Sequence, residues 1–311
     1  MKMQKVDISI IILNFNAKNF VIDCLHSIEK ADWGVYKQEI IVVDNNSTDG
    51  SVQSIKNLII EFSARGGPAY GWQLIENHEN VGFSKGNNDG VPYANGRYVL
   101  FLNPDTVVNK NTFSHMIAYM DANRNVGAAT CKLKLADGHI DEVTHRGFPT
   151  PWNAFCHFSG LEKIFPHSRL FSGYSLGYLS NQVVHEIDAL SGAFMMVRRE
   201  VGEKTNWWDE DYFWYGEDLD FCYRIKKEGF AIMYVPTVSI LHYRGISSGV
   251  KKHSKEFSVA TRRIRKMAAD ASIQAMRIFY RKHYVGKYPT PVLWLVWIGI
   301  WILEKYRMLF W

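Results

Sequence analysis

In the first half of the chain, short β-rich apolar runs alternate with amphipathic stretches of helical length, and this alternation limits the fold more than any other feature. Asp7 to Leu13, Glu39 to Val43, Tyr98 to Leu102 and Gly127 to Leu133 read as strands. Phe20 to Ile28, Ser51 to Phe62, Phe83 to Ala94 and Thr112 to Asn123 carry helical patterns between them. Strand and helix alternating at this spacing predict an α/β fold with a mostly parallel central sheet flanked by helices. Ligands of such sheets sit beyond the carboxyl ends of the strands. With 311 residues, 47% of them hydrophobic, the chain can bury one large core. The expected division is a domain over residues 1–245 and a helical extension over residues 246–311.

Residues 146–185 are rich in Gly, Pro, Ser and aromatics without a sustained period, and read as a long irregular excursion over the active face. Strands are expected again at Glu186 to Val197 and Ala231 to Val235, then a basic helix from about Ser258 to His283. Residues 251–287 hold eleven Lys/Arg against two Asp/Glu, in a chain whose formal charge is only +5. Such a segment suits a polyanion, an anionic bilayer or simply a solvated helix face. The uncharged run Val292 to Leu303 has twelve residues, whereas a spanning helix needs ~20. It fits either an interfacial helix, with Trp294, Trp297, Trp301 and Trp311 at headgroup level, or a buried or dimer-forming helix. The apolar run near the N-terminus stops at Asn14 and lacks a small-residue cleavage site, so it reads as a first strand and not as a signal peptide. Four scattered cysteines, Cys24, Cys131, Cys156 and Cys222, suggest neither a disulfide framework nor a zinc knuckle and fit a reducing compartment.

Four motifs carry the chemistry. In IIVVDNNSTDGS, residues 40–51, a strand ends at Asp44, where a carboxylate can accept the N3–H of uracil or thymine; the same residues also suit a turn with Asp49 or Ser51 as a helix cap. In NVGFSKGNNDG, residues 80–90, Gly82 and Asn87 are binding candidates, while Gly86 and Gly90 share a helical face suited to packing. No Lys-Ser/Thr pair follows these glycines, which excludes a GxxxxGK phosphate loop. VLFLNPDT, residues 99–106, delivers Asp105 to the end of a strand, either as a turn residue or as a ligand for Mg²⁺ or Mn²⁺ bound with a diphosphate. WYGEDLDFCYRIKKEGF, residues 214–230, crowds Glu217, Asp218 and Asp220 at a helix start, behind Trp214 and Tyr215, which look like a sugar-facing wall. The helix dipole favours acids there, and a carboxylate at such a mouth can also take a proton from an attacking hydroxyl.

Taken in order, Asp44 with NNSTDGS, N-x-G-F-x-x-GNN at 80–88, NPD at 103–105, SGAFM at 191–195, GED-x-D at 216–220 and His242 in ILHYRG resemble the family 2 glycosyltransferases of the GT-A fold. Within that family the chain is similar to the rhamnosyltransferase-like branch, and the likeness covers residues 6–245. The resemblance implies that Asp218 is the catalytic base, with Glu217 as its acceptor-side neighbour. It implies that Asp44 binds the pyrimidine, among nucleotide-binding candidates Asn14, Asn16, Asn46, Ser47, Gly82, Lys85, Asn87 and Asn103. Asp105 and His242 would hold a divalent metal, Mg²⁺ or Mn²⁺; Asn103 stands where many members carry a first aspartate. Gly192, Ala193, Trp214 and Tyr215 would face sugar and acceptor.

The resemblance thus implies an inverting transferase that moves rhamnose or a similar sugar from a dTDP- or UDP-sugar to a saccharide hydroxyl, in cell-surface polysaccharide assembly. The Trp-rich tail fits a lipid-linked acceptor and an anionic membrane surface, which predicts a peripheral protein on the cytoplasmic face of the membrane; a homo-oligomer is the other use of that helix. A nucleic-acid partner is not expected, because no recognised nucleic-acid motif accompanies the basic segment and the acids at 209–220 interrupt its positive footprint. The rival reading, carried by Asn103, is a catalytically silent nucleotide-sugar-binding homologue.

Overall fold

The structure is a computed structural model that describes residues 6–64, 71–244 and 262–310. Its first half runs β1 (Ile8–Asn14), α1 (Lys18–Glu29), β2 (Gln38–Asp44), α2 (Ser51–Ala64), β3 (Trp72–Glu76), α3 (Phe83–Gly90) and β4 (Tyr98–Leu102). Strands β1, β2, β3 and β4 pair in parallel, in the order β3-β2-β1-β4. Both faces of β1 are buried: Ile8, Ile10 and Ile12 pack on Val21, Cys24 and Leu25 of α1, while Ile11 points oppositely into a cluster with Val43, Val99 and Phe101. That two-sided burial explains the continuous apolar run, each side chain stabilising the fold by ~1.5–3 kcal/mol. Helix α3 is shorter than expected because Pro92 falls in a following 3-10 turn, Val91–Tyr93. Gly86 and Gly90 face Leu13 and Ile11 at distances a Cβ would fill, so their spacing serves helix-to-sheet packing.

The chain then gives β5 (Thr106–Val108), α4 (Thr112–Ala122) and β6 (Val126–Lys134). The expected irregular excursion contains structure of its own: β7 (His145–Arg146), α5 (Pro151–Ser159) and α6 (Leu161–Ile164). Thr150 caps α5 through its side chain, Pro151 begins it, and Gly160 closes it in the left-handed region. The strand expected over Glu186 to Val197 is three pieces, β8 (His185–Glu186), β9 (Ala189–Leu190) and β10 (Phe194–Arg198), broken at Ser191–Gly192. After α7 (Arg199–Thr205) and α8 (Glu217–Lys227) comes β11 (Ala231–His242), longer than expected and irregular in register around Pro236. The sheet has nine strands among the described residues and is mixed: β10 lies antiparallel to both β4 and β6, and β11 is parallel to β6 but antiparallel to β5 and β8.

Two helices close the chain, α9 (Arg262–His283) and α10 (Thr290–Phe310). The expected start of the basic helix at Ser258, and the cations Lys251, Lys252 and Lys255, lie outside the described residues. Phe279, Tyr280, Tyr284 and Leu293 form a separate cluster that packs on Phe148, Leu219 and Tyr223. Tyr280 Oη donates to Pro149 O at 2.8 Å, so the α9–α10 pair is seated against the sheet's helical layer. Helix α10 buries Leu293 and Ile300 but exposes Trp294, Leu295, Ile298, Trp301, Ile302 and Tyr306. Among the described residues no helix is long and apolar enough to cross a membrane. All four cysteines are free and buried.

Candidate active site

A cavity of about 570 Å³ opens beyond the carboxyl ends of β1, β2 and β4 and extends between α5, α8, α9 and α10. Sheet pairing assembles its walls. Because β10 runs antiparallel beside β4, Asn103 N–H donates to Ala193 O at 3.0 Å, which sets the Ser191–Ala193 turn next to Asn103 and Asp105. Because β11 runs antiparallel beside β5, His242 lies opposite Thr106 and Tyr243 N–H donates to Asp105 O at 2.9 Å. Trp214 and Tyr215 line the cavity as a nearly parallel stack, ring centroids 5.7 Å apart. Tyr215 and Gly216 both take positive φ, 70° and 83°, in the turn that launches α8. A Cβ on Gly216 would lie 2.8 Å from that of Ala275, so this glycine serves both the turn and the approach of α9.

The three acids of α8 meet three environments. Asp218 lines the cavity, accepting from Arg146 Nη2 at 2.5 Å and from Leu219 N–H at 2.8 Å. Arg146 also donates to Leu190 O at 3.1 Å. Burial opposes its charge, but the neighbouring Asp218 more than offsets this and holds the guanidinium above its ordinary range. Glu217 is buried, and one of its carboxyl oxygens meets no partner. Burial first, and then the Asp218 charge, push its carboxyl up to about 8, so it is neutral at pH 7. Asp220 is equally buried but stays below the usual carboxylate range, because His283 at 2.6 Å and Arg224 at 2.7 Å bind its two oxygens.

On the wall of the same cavity, His242 Nε2 faces Asp105 Oδ1 at 3.4 Å while Nδ1 lies 3.0 Å from Asp141 Oδ2. Burial lowers the imidazole's basicity, yet Asp105 and Asp141 outweigh it and raise His242 to about 9. Arg244 holds the other oxygen of Asp141 at 2.6 Å. A carboxylate on Nδ1 that leaves Nε2 toward a second carboxylate is the arrangement of an oriented metal-binding imidazole. Among the described residues no group of three or more His, Cys, Asp or Glu is assembled to hold a metal. The donor set Asp105 and His242 therefore fits a cation that takes its remaining ligands from a diphosphate and water, which is how Mg²⁺-type ions are commonly bound.

The sequence-derived candidates separate into two groups. Gly82, Asn103, Asp105, Gly192, Ala193, Trp214, Tyr215, Glu217, Asp218 and His242 all line the one cavity. Asn14, Asn16, Asp44, Asn46, Ser47, Lys85 and Asn87 do not. Asp44 is fully buried, one oxygen accepting from Asn14 Nδ2 at 2.7 Å and the other from Ser47 N–H at 2.7 Å. Asn16 joins them through Ser47 Oγ and Thr48 N–H, so these residues tie the β1 and β2 ends together. Exposed Asn46 occupies the left-handed turn of that loop. Lys85 pairs outward with Asp89, and Asn87 donates to Phe83 O within its own helix. It is Asn45, beside Asp44, that lines the cavity, donating to Asn80 Oδ1 and Gly82 O. The residues missed from sequence are Arg146, Asp141, Asn45 and Arg307. A buried arginine needs a carboxylate, but nothing local shows that residue 146 meets residue 218.

Comparison with known proteins gives the family and the fold. The family model described as Glycosyl transferase family 2 matches residues 9–205. The rhamnosyltransferase WbbL of Escherichia coli is 28% identical over 171 residues, 52% of this chain and 61% of that protein. The N-acetylglucosaminyl-diphospho-decaprenol L-rhamnosyltransferase of Mycobacterium tuberculosis is 26% identical over 215 residues, 68% of each. The chain thus spans about two thirds of these relatives' lengths. A mannosyltransferase of Pyrobaculum calidifontis, solved with GDP-Man and Mn²⁺, superposes with a TM-score of 0.55 at 16% identity, covering 98% of this chain and 83% of that one. A mixed sheet with this helical cover is the GT-A fold, and the chain belongs to glycosyl transferase family 2.

Proposed function

We propose that the chain is an inverting, metal-dependent transferase that moves rhamnose or a similar hexose from a dTDP- or UDP-sugar to a hydroxyl of a lipid-linked saccharide. The observation that carries this reading is that Asp218 on α8 lines the same cavity as Asp105 and His242 at the β4 and β11 ends. Asp218 keeps free lone pairs beyond the two donors it already meets, and these accept the proton of the acceptor hydroxyl as it attacks the anomeric carbon. Arg146 fixes the orientation of that carboxylate. Neutral Glu217 adds no second negative charge beside it. Asp105 and His242 would hold the divalent cation, whose charge stabilises the leaving diphosphate. Attack opposite the leaving group inverts the anomeric configuration once.

Asp44, by locking Asn14, Ser47 and the loop after β2, holds Asn45 and Phe15 at the nucleotide end of the cavity. Residues 1–245 serve as the catalytic domain. The extension at 246–311 supplies an acceptor wall and, through the exposed face of α10, peripheral attachment to the cytoplasmic membrane surface for polysaccharide assembly. The named rhamnosyltransferase relatives support the choice of sugar and acceptor class. The test is a panel of dTDP-, UDP-, GDP- and ADP-sugars assayed for metal-dependent donor hydrolysis. Hydrolysis confined to thymine and uracil donors is the expected result; equal hydrolysis of the purine donors would overturn the donor assignment.

A further inference from the structure

Helix α5 is capped at both ends, yet one of its faces is apolar and open. Trp152, Phe155 and Phe158 project from it at three-residue spacing, and Ile164, Phe165 and Leu170 follow in and just after α6. All six side chains are between 45% and 67% exposed. Single exposed apolar side chains are ordinary, but a cluster of this size marks a contact surface. The surface is built, not frayed: Trp152 Nε1 donates to Leu170 O at 2.7 Å, and the Phe171 ring lies 6.1 Å from that of Trp152 and 5.1 Å from that of Phe165.

Charge decides what covers it. Within residues 147–185 the only acid is Glu162, which is buried and lies 2.6 Å from His157 Nδ1, whereas Lys163 and Arg169 are exposed. An apolar face that carries exposed cations and no exposed acid suits the headgroup region of an anionic bilayer, where aromatic rings settle and cations meet lipid phosphate. A second copy of the chain fits less well, because a two-fold contact would set Lys163 and Arg169 against their own copies with no acid from this stretch to pair them.

We propose that the α5–α6 stretch is a membrane-docking surface, its aromatic face inserted among the headgroups of an anionic bilayer with Lys163 and Arg169 on the lipid phosphates. This contact rests on the membrane attachment proposed above, but it lies on the catalytic domain and does not use the exposed face of α10. Ala154, His157 and Phe158 of the same helix line the cavity, so docking through α5 sets one wall of the active-site cavity at the bilayer surface.

The test is flotation of the full chain with vesicles of phosphatidylcholine alone and of an equal mixture of phosphatidylcholine and phosphatidylglycerol. The wild type is expected to bind the mixed vesicles more tightly than the neutral ones. Replacing Phe155, Ile164 and Leu170 together by serine is expected to weaken binding to the mixed vesicles by about tenfold or more, since each change removes apolar area that insertion would bury. Lys163→Glu with Arg169→Glu is expected to lower the mixed-vesicle affinity by about tenfold and to leave neutral-vesicle binding unchanged; it also carries the test if the serine variant fails to fold. None of these five residues lines the cavity, so donor hydrolysis should persist in both variants. Unchanged binding of mixed vesicles by the folded variants overturns the proposal. A wild type that self-associates in light scattering, with the serine variant monomeric, assigns the face to a second copy and overturns it as well. Release by the α10 substitutions alone would leave membrane attachment standing without α5, and a wild type that ignores both vesicles would remove membrane attachment altogether; in either case donor hydrolysis tests the transferase reading separately.

Discussion

Replacing Glu217 by glutamine tests the reading of the α8 acids through stability. In the folded chain burial and the adjacent Asp218 oppose ionisation of the Glu217 carboxyl and push it up from 4.5 to about 8. Below pH 4.5 both folded and unfolded chains carry the proton, and this group adds no pH dependence. Between 4.5 and about 8 only the unfolded chain ionises, so the wild type loses stability as pH rises, at ~1.4 kcal/mol per pH unit, and the loss levels off above the folded value. The full difference is on the order of 5 kcal/mol. Glutamine has the shape of the neutral acid and cannot ionise, so Glu217→Gln escapes that loss.

The assay is thermal unfolding of both proteins from pH 4 to 9. The two melting temperatures are expected to coincide near pH 4.5 and to diverge steadily, the variant melting on the order of 10 °C higher at pH 8.5. Transfer at pH 7 should persist in the variant, because the wild-type residue is also neutral there. Parallel melting curves across the whole range, or a variant less stable at high pH, would refute the argument that Glu217 is held protonated.

Three further outcomes follow from the site. Asp218→Asn should lower transfer by on the order of 10²–10⁴ while nucleotide binding is kept, measured by single-turnover transfer beside calorimetry; wild-type turnover would end its assignment as base. Asp105→Ala should abolish the metal dependence of nucleoside diphosphate binding, and calorimetry showing unchanged metal-linked affinity would remove Asp105 from the site. Replacing Trp294, Ile298 and Trp301 together by serine should release the protein from anionic liposomes in a flotation assay without lowering its melting temperature, because all three side chains are more than half exposed; a large fall in melting temperature would identify the face as an oligomer or core contact.

The parts legible in the sequence are those written in local pattern. The β1, β2, β4 and β6 runs were readable because each is buried on both sides and apolar nearly throughout. β3 was not, since its residues are only half-buried, and β5 is three residues long. α5 had a readable signal in Thr150-Pro151 at its start and Gly160 at its end, which the aromatic and glycine-rich composition of the stretch obscured. Within the site, Asp105, Asp218 and His242 could be picked out because each ends a strand or begins a helix. Asp44 could be picked out in the same way, but its bonds to Asn14 and Ser47 depend on how β1 and β2 pair. Asp141 and Arg146 lie 101 and 72 residues from the partners that give them meaning, a separation only the folded sheet removes.

The same helix start raises a sharper question, because its dipole would favour all three acids at once. The position before α8 is Gly216, which has no side chain to bond, so no N-cap side chain closes the helix start, and Asp218 accepts from the Leu219 amide within it. The surroundings distribute the charges instead. Asp220 is compensated by Arg224 of its own helix and by His283, and the His283 bond pins α9 to α8. Glu217, buried beside Asp218 with one oxygen unpartnered, is pushed toward its neutral form. Asp218 lines the cavity with Arg146 orienting its carboxylate from the side. Were Glu217 ionised as well, two adjacent carboxylates would repel each other and the incoming diphosphate donor. Under the proposed function the triplet therefore offers one carboxylate, Asp218, to the acceptor hydroxyl as its general base.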